Sequence, residues 1–510
     1  MKKLLTFFCI VLLFSCKKTT APPEPIQPDL PVLEATVASA VGTFSVSLSA
    51  KITDPGTSSV FEAGFVVDSN SLPTVQKFLI KSDALVESDG SFTLDVSNLS
   101  AKTLYYARSY AQNSSGITYG EQVSFSTQDL KVFTGDVFLQ QQQEVDAFGA
   151  DHYHRIDGSL YVTGTVTDLT PLSDLLEVTG RLDIMTTTQL QSLRGLRNIR
   201  SVNIIKDLAG IRIVANSVLR NLEGFEGLTK VYGEILISGN PELESLKGLD
   251  SLGSIEAGGL VVEHSDKLTD LDGLEKLELV EKTLSIFDND LLRNISSLRN
   301  LSTVSILNIS DNQLLPDISG LELITELTGI QLYNNPALSD LTGLSNLEKT
   351  GFLQIAGNKL AMLNGLEKLT SIENLTIDNS PDLFELKALS NLADLDNLYL
   401  ANTGLTDLVA LERISALNVL TIQNNGSLRT FEGLENIQRI QQLVVADNPV
   451  LNNIHALTNL TQLNGGTFLD NTSLADFCPL KNALSNRLTS ISIQGNATSP
   501  TRDELLVYCP

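Results

Sequence analysis

Leu236 to Leu252 reads LISGNPELESLKGLDSL, and Leu332 to Leu347 reads LYNNPALSDLTGLSNL. Both are copies of one pattern, L-x-I-x-x-N-x-x-L-x-x-L-x-G-L-x-x-L, repeated every 22 to 25 residues from about Thr187 almost to the end of the 510-residue chain. The Asn or a stand-in recurs at Asn216, Asn240, Ser265, Asn289, Asn312, Asn335, Asn358, Asn379, Asn402, Asn425, Asn448, Asn471 and Asn496. A fixed period of this size predicts a solenoid, in which each unit buries its apolar face only against its neighbours. Such a fold grows in one dimension, so the chain length needs no single large core. It offers a long surface rather than a cleft.

Within a unit the pattern assigns local structure. Ile235 and Ile237 lie five and three residues before Asn240, and this period-2 spacing makes them the inward face of a strand. Leu284/Ile286, Leu307/Ile309, Ile330/Leu332, Leu353/Ile355, Leu420/Ile422 and Leu443/Val445 repeat it, so stacked units place parallel strands side by side. The Asn amide can satisfy backbone groups where the coil turns. Leucines then recur every third residue (Leu243, Leu246, Leu249, Leu252), a beat that suits a 3₁₀-like or irregular convex side. Gly248, Gly273, Gly320, Gly343, Gly365 and Gly433 sit at the tight turn, with Ala388, Ala410 and Ala456 as substitutes.

This pattern resembles the leucine-rich repeat. The early stretch, with Ile156, Gly158, Leu160 and Val162 followed by Val178, Gly180, Leu182 and Ile184, is similar to the receptor L-domain variant. The resemblance covers roughly residues 150–510. It implies a right-handed solenoid of about fifteen coils with a parallel concave sheet, on the order of 70 Å long at the usual strand spacing. Bacterial relatives of this type, internalins among them, are non-catalytic surface binders, which implies recognition of a protein or glycan. The long unit between Gly195 and Gly224 departs from the period and predicts a bulged loop.

The chain ahead of the repeat has a different texture. Lys2, Lys3 and the apolar run Leu4–Phe14 read as a signal peptide over residues 1–15, too short to span a bilayer. Leu13-Phe14-Ser15-Cys16 resembles the bacterial lipobox, which implies acylation of Cys16 and an anchor in the outer membrane. Phe14 is bulkier than the usual residue there. Residues 16–31 are a proline-rich, extended tether. Residues 32–127 alternate apolar and polar over short runs separated by Asp54-Pro55-Gly56, Asp89-Gly90 and Ser115-Gly116, which predicts an antiparallel β-sandwich. Leu99, Tyr105, Ala107, Tyr110, Asn113, Gly116 and Phe125 resemble the closing half of a fibronectin type III domain. That resemblance implies a Tyr105 hydroxyl bonded back to the backbone. Residues 128–155 read as a linker and N-terminal cap, with a short helix over 140–148, ahead of a solenoid at 156–510.

A formal charge of −25 argues against nucleic acid or an anionic membrane face as partner, and leaves the membrane contact to the N-terminal lipid. Cys478 and Cys509 form an even pair in an exported chain and suggest one disulfide stapling the open end, with two free thiols as the alternative. His152 and His154 could share one face of a strand, but no third ligand is evident, so no metal site and no cofactor are expected. Asp288, Asp311, Asp447 and Asp470 directly precede the Asn and read as turn formers rather than calcium ligands.

The residues two and four before each Asn point out of the sheet, and they define the candidate ligand site: Glu263, Phe287, Asn308, Ser310, Gln331, Tyr333 and Tyr399. Aromatics among amides suit a protein hot spot or a sugar platform. The rival reading is a β-helix polysaccharide-degrading enzyme, which needs clustered carboxylates or an acid opposite a base. Among the outward positions considered, Glu263 is the single acid and Arg212 the single base, and no G-x-S-x-G, H-E-x-x-H or phosphate loop occurs. The sequence therefore reads as a non-enzymatic recognition lipoprotein or adhesin of the cell surface, with a structural envelope protein as the alternative.

Overall fold

The computed structural model describes residues 29–203, 209–485 and 490–509. Cys16 and the expected signal peptide lie outside the described residues. The chain divides into two compact units, Met1–Leu130 and Lys131–Pro510.

Among its described residues the first unit carries nine strands: β1 (Val32–Leu33), β2 (Val37–Ser39), β3 (Val46–Asp54), β4 (Glu62–Asp68), β5 (Ile80–Asp83), β6 (Ser91–Val96), β7 (Leu104–Asn113), β8 (Gly116–Tyr119) and β9 (Val123–Ser126). They form two antiparallel sheets, one with β3 between β1 and β2 and also paired to β6, the other ordered β5-β4-β7-β8 with β9 on β7. Val46, Leu48 and Ala50 alternate inward along β3, as the sequence pattern requires. They meet Phe65 and Val67 of β4, and the Phe65 and Phe92 rings join the two sheets at 5.0 Å between centroids. Ser100 N–H donates to the Tyr105 hydroxyl at 2.9 Å, the backbone contact expected of that tyrosine.

The second unit is built on a single 22-stranded parallel sheet. Its first twelve strands pair off as six coils of two short strands each, and the remaining ten strands make one coil each, sixteen coils among the described residues. The sheet begins earlier than expected. Val132–Thr134 and Val137–Leu139 already pair with the strands at Arg155–Asp157 and Leu160–Val162, so residues 128–155 contain a first coil rather than a linker. The expected helix is Gln142–Gly149, with Val145 fully buried against the next coil's core.

Three devices satisfy the turns of the coils. The buried Asn of one coil donates through Nδ2 to a strand carbonyl of the preceding coil and accepts through Oδ1 the N–H of that coil's own Asn. Asn335, for example, donates to Ile309 O at 2.9 Å and accepts from Asn312 N at 3.1 Å. The residue before it sits in the left-handed region, as Asp288, Asp311, Asp447 and Asp470 all do (φ 53°, 57°, 54° and 56°), which is the turn role expected of these aspartates. A second asparagine row, not anticipated from the sequence, lies on the convex side. Asn198, Asn346, Asn391, Asn436 and Asn459 donate to carbonyls of Ser173, Glu322, Glu367, Glu412 and Glu435 at 2.7 to 2.8 Å.

Two expected ladder positions are corrected. Asn379 and Asn402 are exposed and left-handed (φ 42° and 52°), and the buried places belong to Ser380 and Thr403. Asparagine suits both adjacent places, the buried one for its amide and the turn for its tolerance of positive φ, so composition favoured the wrong one of the two.

The convex side alternates between two solutions. Some coils make a 3₁₀ turn, as at Ser296–Leu298, Thr342–Leu344, Lys387–Leu389 and Val409–Leu411. Others place a positive-φ glycine there, and an acid two residues later accepts its N–H at 2.7 to 3.0 Å: Glu226, Asp250, Glu275, Glu322, Glu367 and Glu435. At Gly248 (φ 115°) a Cβ would stand 1.9 Å from Leu222 O of the coil before, so neither conformation nor space admits a side chain. Part of the acidity of this chain is thus backbone capping.

The open end is closed by helix Arg502–Tyr508, whose Leu505 enters the core, and by a Cys478–Cys509 disulfide with Cα atoms 5.2 Å apart. The long unit carries a register shift between Ala209 and Ile211, and the rest of its expected bulge, 204–208, lies outside the described residues.

Candidate ligand-binding face

Strand pairing turns the sequence spacing into columns running along the sheet. Glu263, Phe287, Ser310 and Tyr333 are consecutive in the column two residues before the buried ladder. Asn308 and Gln331 are consecutive in the column four before it, continued by Gln354 and Thr376 to Tyr399. Six of the seven expected residues are therefore brought together over four coils. Tyr399 stands three coils beyond Gln331, in that column and not in that of Tyr333.

The aromatics are less open than the sequence suggests. Phe287, Tyr333 and Tyr399 are half-buried, and Ser310 is buried, because side chains of neighbouring coils pack beside them. The Phe287 ring meets His264 edge-on with centroids 5.6 Å apart. The Tyr333 hydroxyl donates to Gln354 Oε1, and burial pushes its pKa up. Gln423 Nε2 donates to the Tyr399 hydroxyl at 2.6 Å, Asn308 Nδ2 to Ser285 Oγ at 3.0 Å, Gln331 Nε2 to Gln354 Oε1 at 3.0 Å, and Ser238 Oγ to Glu263 Oε1 at 2.6 Å. The face is a mesh of mostly neutral donors and acceptors, with the Glu263 carboxylate at one edge, already cross-linked between coils. Held rotamers of this kind lose little entropy when a ligand arrives.

The structure adds members that spacing alone did not supply. Asp183 and Asp378 also occupy outward columns, so Glu263 is not the single acid. Asp183 is almost fully buried, with Arg212 Nη1 at 3.7 Å and one carboxylate oxygen lacking any hydrogen bond; burial, outweighing Arg212 and Arg181, raises its pKa. Phe138 and Tyr161 stack at 4.7 Å and begin the same column. A third column, six before the ladder, runs Ile306, Gly329, Phe352, Asn374, Asn397. The same period of two that gives the second and fourth residues before the Asn also gives this sixth one, so the sequence spacing already contained it.

The two histidines go different ways. His152 Nδ1 pairs with Asp174 at 2.6 Å, whereas His154 Nδ1 accepts Lys131 N–H at 3.0 Å and burial lowers its pKa. Among the described residues no three His, Cys, Asp or Glu side chains converge as a metal site.

Comparison with known proteins bears on the same unit. No curated protein matches the chain. A leucine-rich-repeat protein of Leptospira interrogans is a structural neighbour at 14% identity and TM-score 0.29, covering 64% of this chain and 93% of the other. A family 28 exopolygalacturonase of Yersinia enterocolitica gives 10% identity and TM-score 0.16, covering 92% and 97%. Neither score bears on function. Residues 152–250 match the family model described as Receptor L domain, and the unit that contains them is a parallel-sheet solenoid of the leucine-rich-repeat type.

Proposed function

We propose that this protein is a non-catalytic recognition protein whose concave sheet captures a protein or glycan. The observation that carries the reading is the adjacency of Glu263, Phe287, Ser310 and Tyr333 with Asn308 and Gln331 across four coils of one sheet. Half-buried aromatics supply contact area, and pre-bonded amides supply orientation. The Receptor L domain match over 152–250 supports recognition as the class of function. The lipobox-like Leu13–Cys16 supports an acyl anchor in the cell envelope; an adhesin role further requires an outer-membrane anchor with the solenoid facing outward. The sandwich of residues 32–127 serves as a fibronectin type III-like spacer, a reading supported by the Tyr105 contact.

The test is a binding array of glycans and envelope-facing or host proteins, probed with the wild type and with Phe287→Ala/Tyr333→Ala. The double variant should lose the wild-type signal. Undiminished binding would remove the concave site and leave a structural envelope component. Protease shaving of intact cells checks the location.

A further inference from the structure

We infer that the concave face takes a neutral glycan, with Phe352 as the surface on which a sugar ring stacks; this rests on the recognition reading above and narrows its ligand to one chemistry. Phe352 is half-buried, and its ring lies over Gly329 of the preceding coil: a methyl at Gly329 would stand 1.9 Å from Phe352 Cζ and 2.0 Å from Cε1. Gly329 has no left-handed backbone that would demand glycine. What the missing side chain provides is room for the ring to lie down. Ile306 extends the apolar spot by one coil in the same column, and Asn374 bounds it on the other side.

The neighbours are amides. Gln354 Oε1 accepts from both Gln331 Nε2 and the Tyr333 hydroxyl, while its Nε2 has no protein acceptor among the described residues. Asn374 Oδ1 accepts from Asn397 Nδ2 at 2.8 Å, and its own Nδ2 likewise has no protein acceptor among the described residues. An amide tip both donates and accepts, as a sugar hydroxyl does, whereas the C–H face of a pyranose needs a flat apolar surface. One laid-down ring flanked by amides supplies both.

Charge decides against the alternatives. From Gly259 to Ala446 the three outward columns contain no Lys or Arg and two carboxylates, Glu263 and Asp378. A polyanionic glycan would find no counter-charge there, on a chain that carries −25. A protein partner anchors through large apolar groups, and between Gly259 and Ala446 the outward aromatics Phe287, Tyr333, Phe352 and Tyr399 are all half-buried on an open sheet.

Native affinity electrophoresis of the folded protein in gels containing laminarin, xylan, galactomannan or starch, with alginate as the anionic control, tests this. At least one neutral polysaccharide should retard the wild type, and alginate should not. Phe352→Ala should weaken retardation about tenfold, the size of one lost stacking contact. Gly329→Ala should weaken it as well, by lifting the ring, with an unchanged melting temperature. No retardation by any neutral polysaccharide, retardation by alginate alone, or full retardation of both variants would each overturn the inference. If a protein ligand is lost on Phe287→Ala/Tyr333→Ala while no polysaccharide binds, the glycan assignment fails and the concave-face reading stands. If the double variant changes nothing at all, that reading fails.

Discussion

Replacing Asn335 by Ala should cost this protein about 2–6 kcal/mol, whereas the same change at Asn379 should cost about 1–2 kcal/mol. Asn335 is fully buried. Its Nδ2 donates to Ile309 O and Tyr333 O at 2.9 and 3.0 Å, and its Oδ1 accepts Asn312 N–H at 3.1 Å. Truncation orphans at least the Ile309 carbonyl and the Asn312 N–H inside a dry turn. At about 1–3 kcal/mol for each buried group left unpaired, the loss is about 2–6 kcal/mol. The Asn379 side chain is exposed, and its φ of 42° is the main thing an alanine would find uncomfortable, at about 1–2 kcal/mol. Urea unfolding gives the comparison. Hydrogen exchange resolves it by coil, because a solenoid transmits damage to nearest neighbours first and protection should fall around residues 309–358. Equal destabilisation by the two variants, or a larger effect at Asn379, would refute the ladder assignment and restore the register suggested by the sequence.

Gly248→Ala should destabilise by more than the ordinary cost of a left-handed alanine, since its Cβ would press on Leu222 O, while Gly426→Ala, with nothing within 4 Å, should be neutral; thermal melts compare them. Burial raises the Asp183 pKa in the folded state, so above that pKa the folded protein bears a cost that protonation relieves as pH falls through it. Asp183→Asn should therefore stabilise at neutral pH, with the gain shrinking toward acid; a gain that persists or grows on acidification would contradict burial as the cause.

Much of the fold was legible because a solenoid repeats its instructions. Leu284/Ile286 and Leu307/Ile309 announced an inward strand face, and all four are buried. The three-residue leucine beat announced a convex side of 3₁₀ turns, and such turns occur from Thr170–Leu172 to Cys478–Leu480. The pairing of Cys478 with Cys509 followed from there being two cysteines at one end, and it is present. The first coil was hidden because Val132–Thr134 and Val137–Leu139 are too short to show a period of their own. The acids capping Gly248 and its equivalents stand two residues after the glycine, an offset legible in the sequence whose hydrogen bond only the structure shows.

The candidate face divides along the same line. Spacing from the Asn determined which residues leave the sheet, so the neighbourhood of Phe287, Ser310 and Tyr333 was set by sequence alone. Contacts between coils decided the rest: that the aromatics are half-buried, that Gln354 collects two donors, that Phe352 lies on Gly329, and that Ser380 and Thr403, not Asn379 and Asn402, turn inward. The reason is geometric. A period specifies direction within one coil, but a side chain's exposure and partners depend on what the next coil, some 23 residues away in sequence, places beside it.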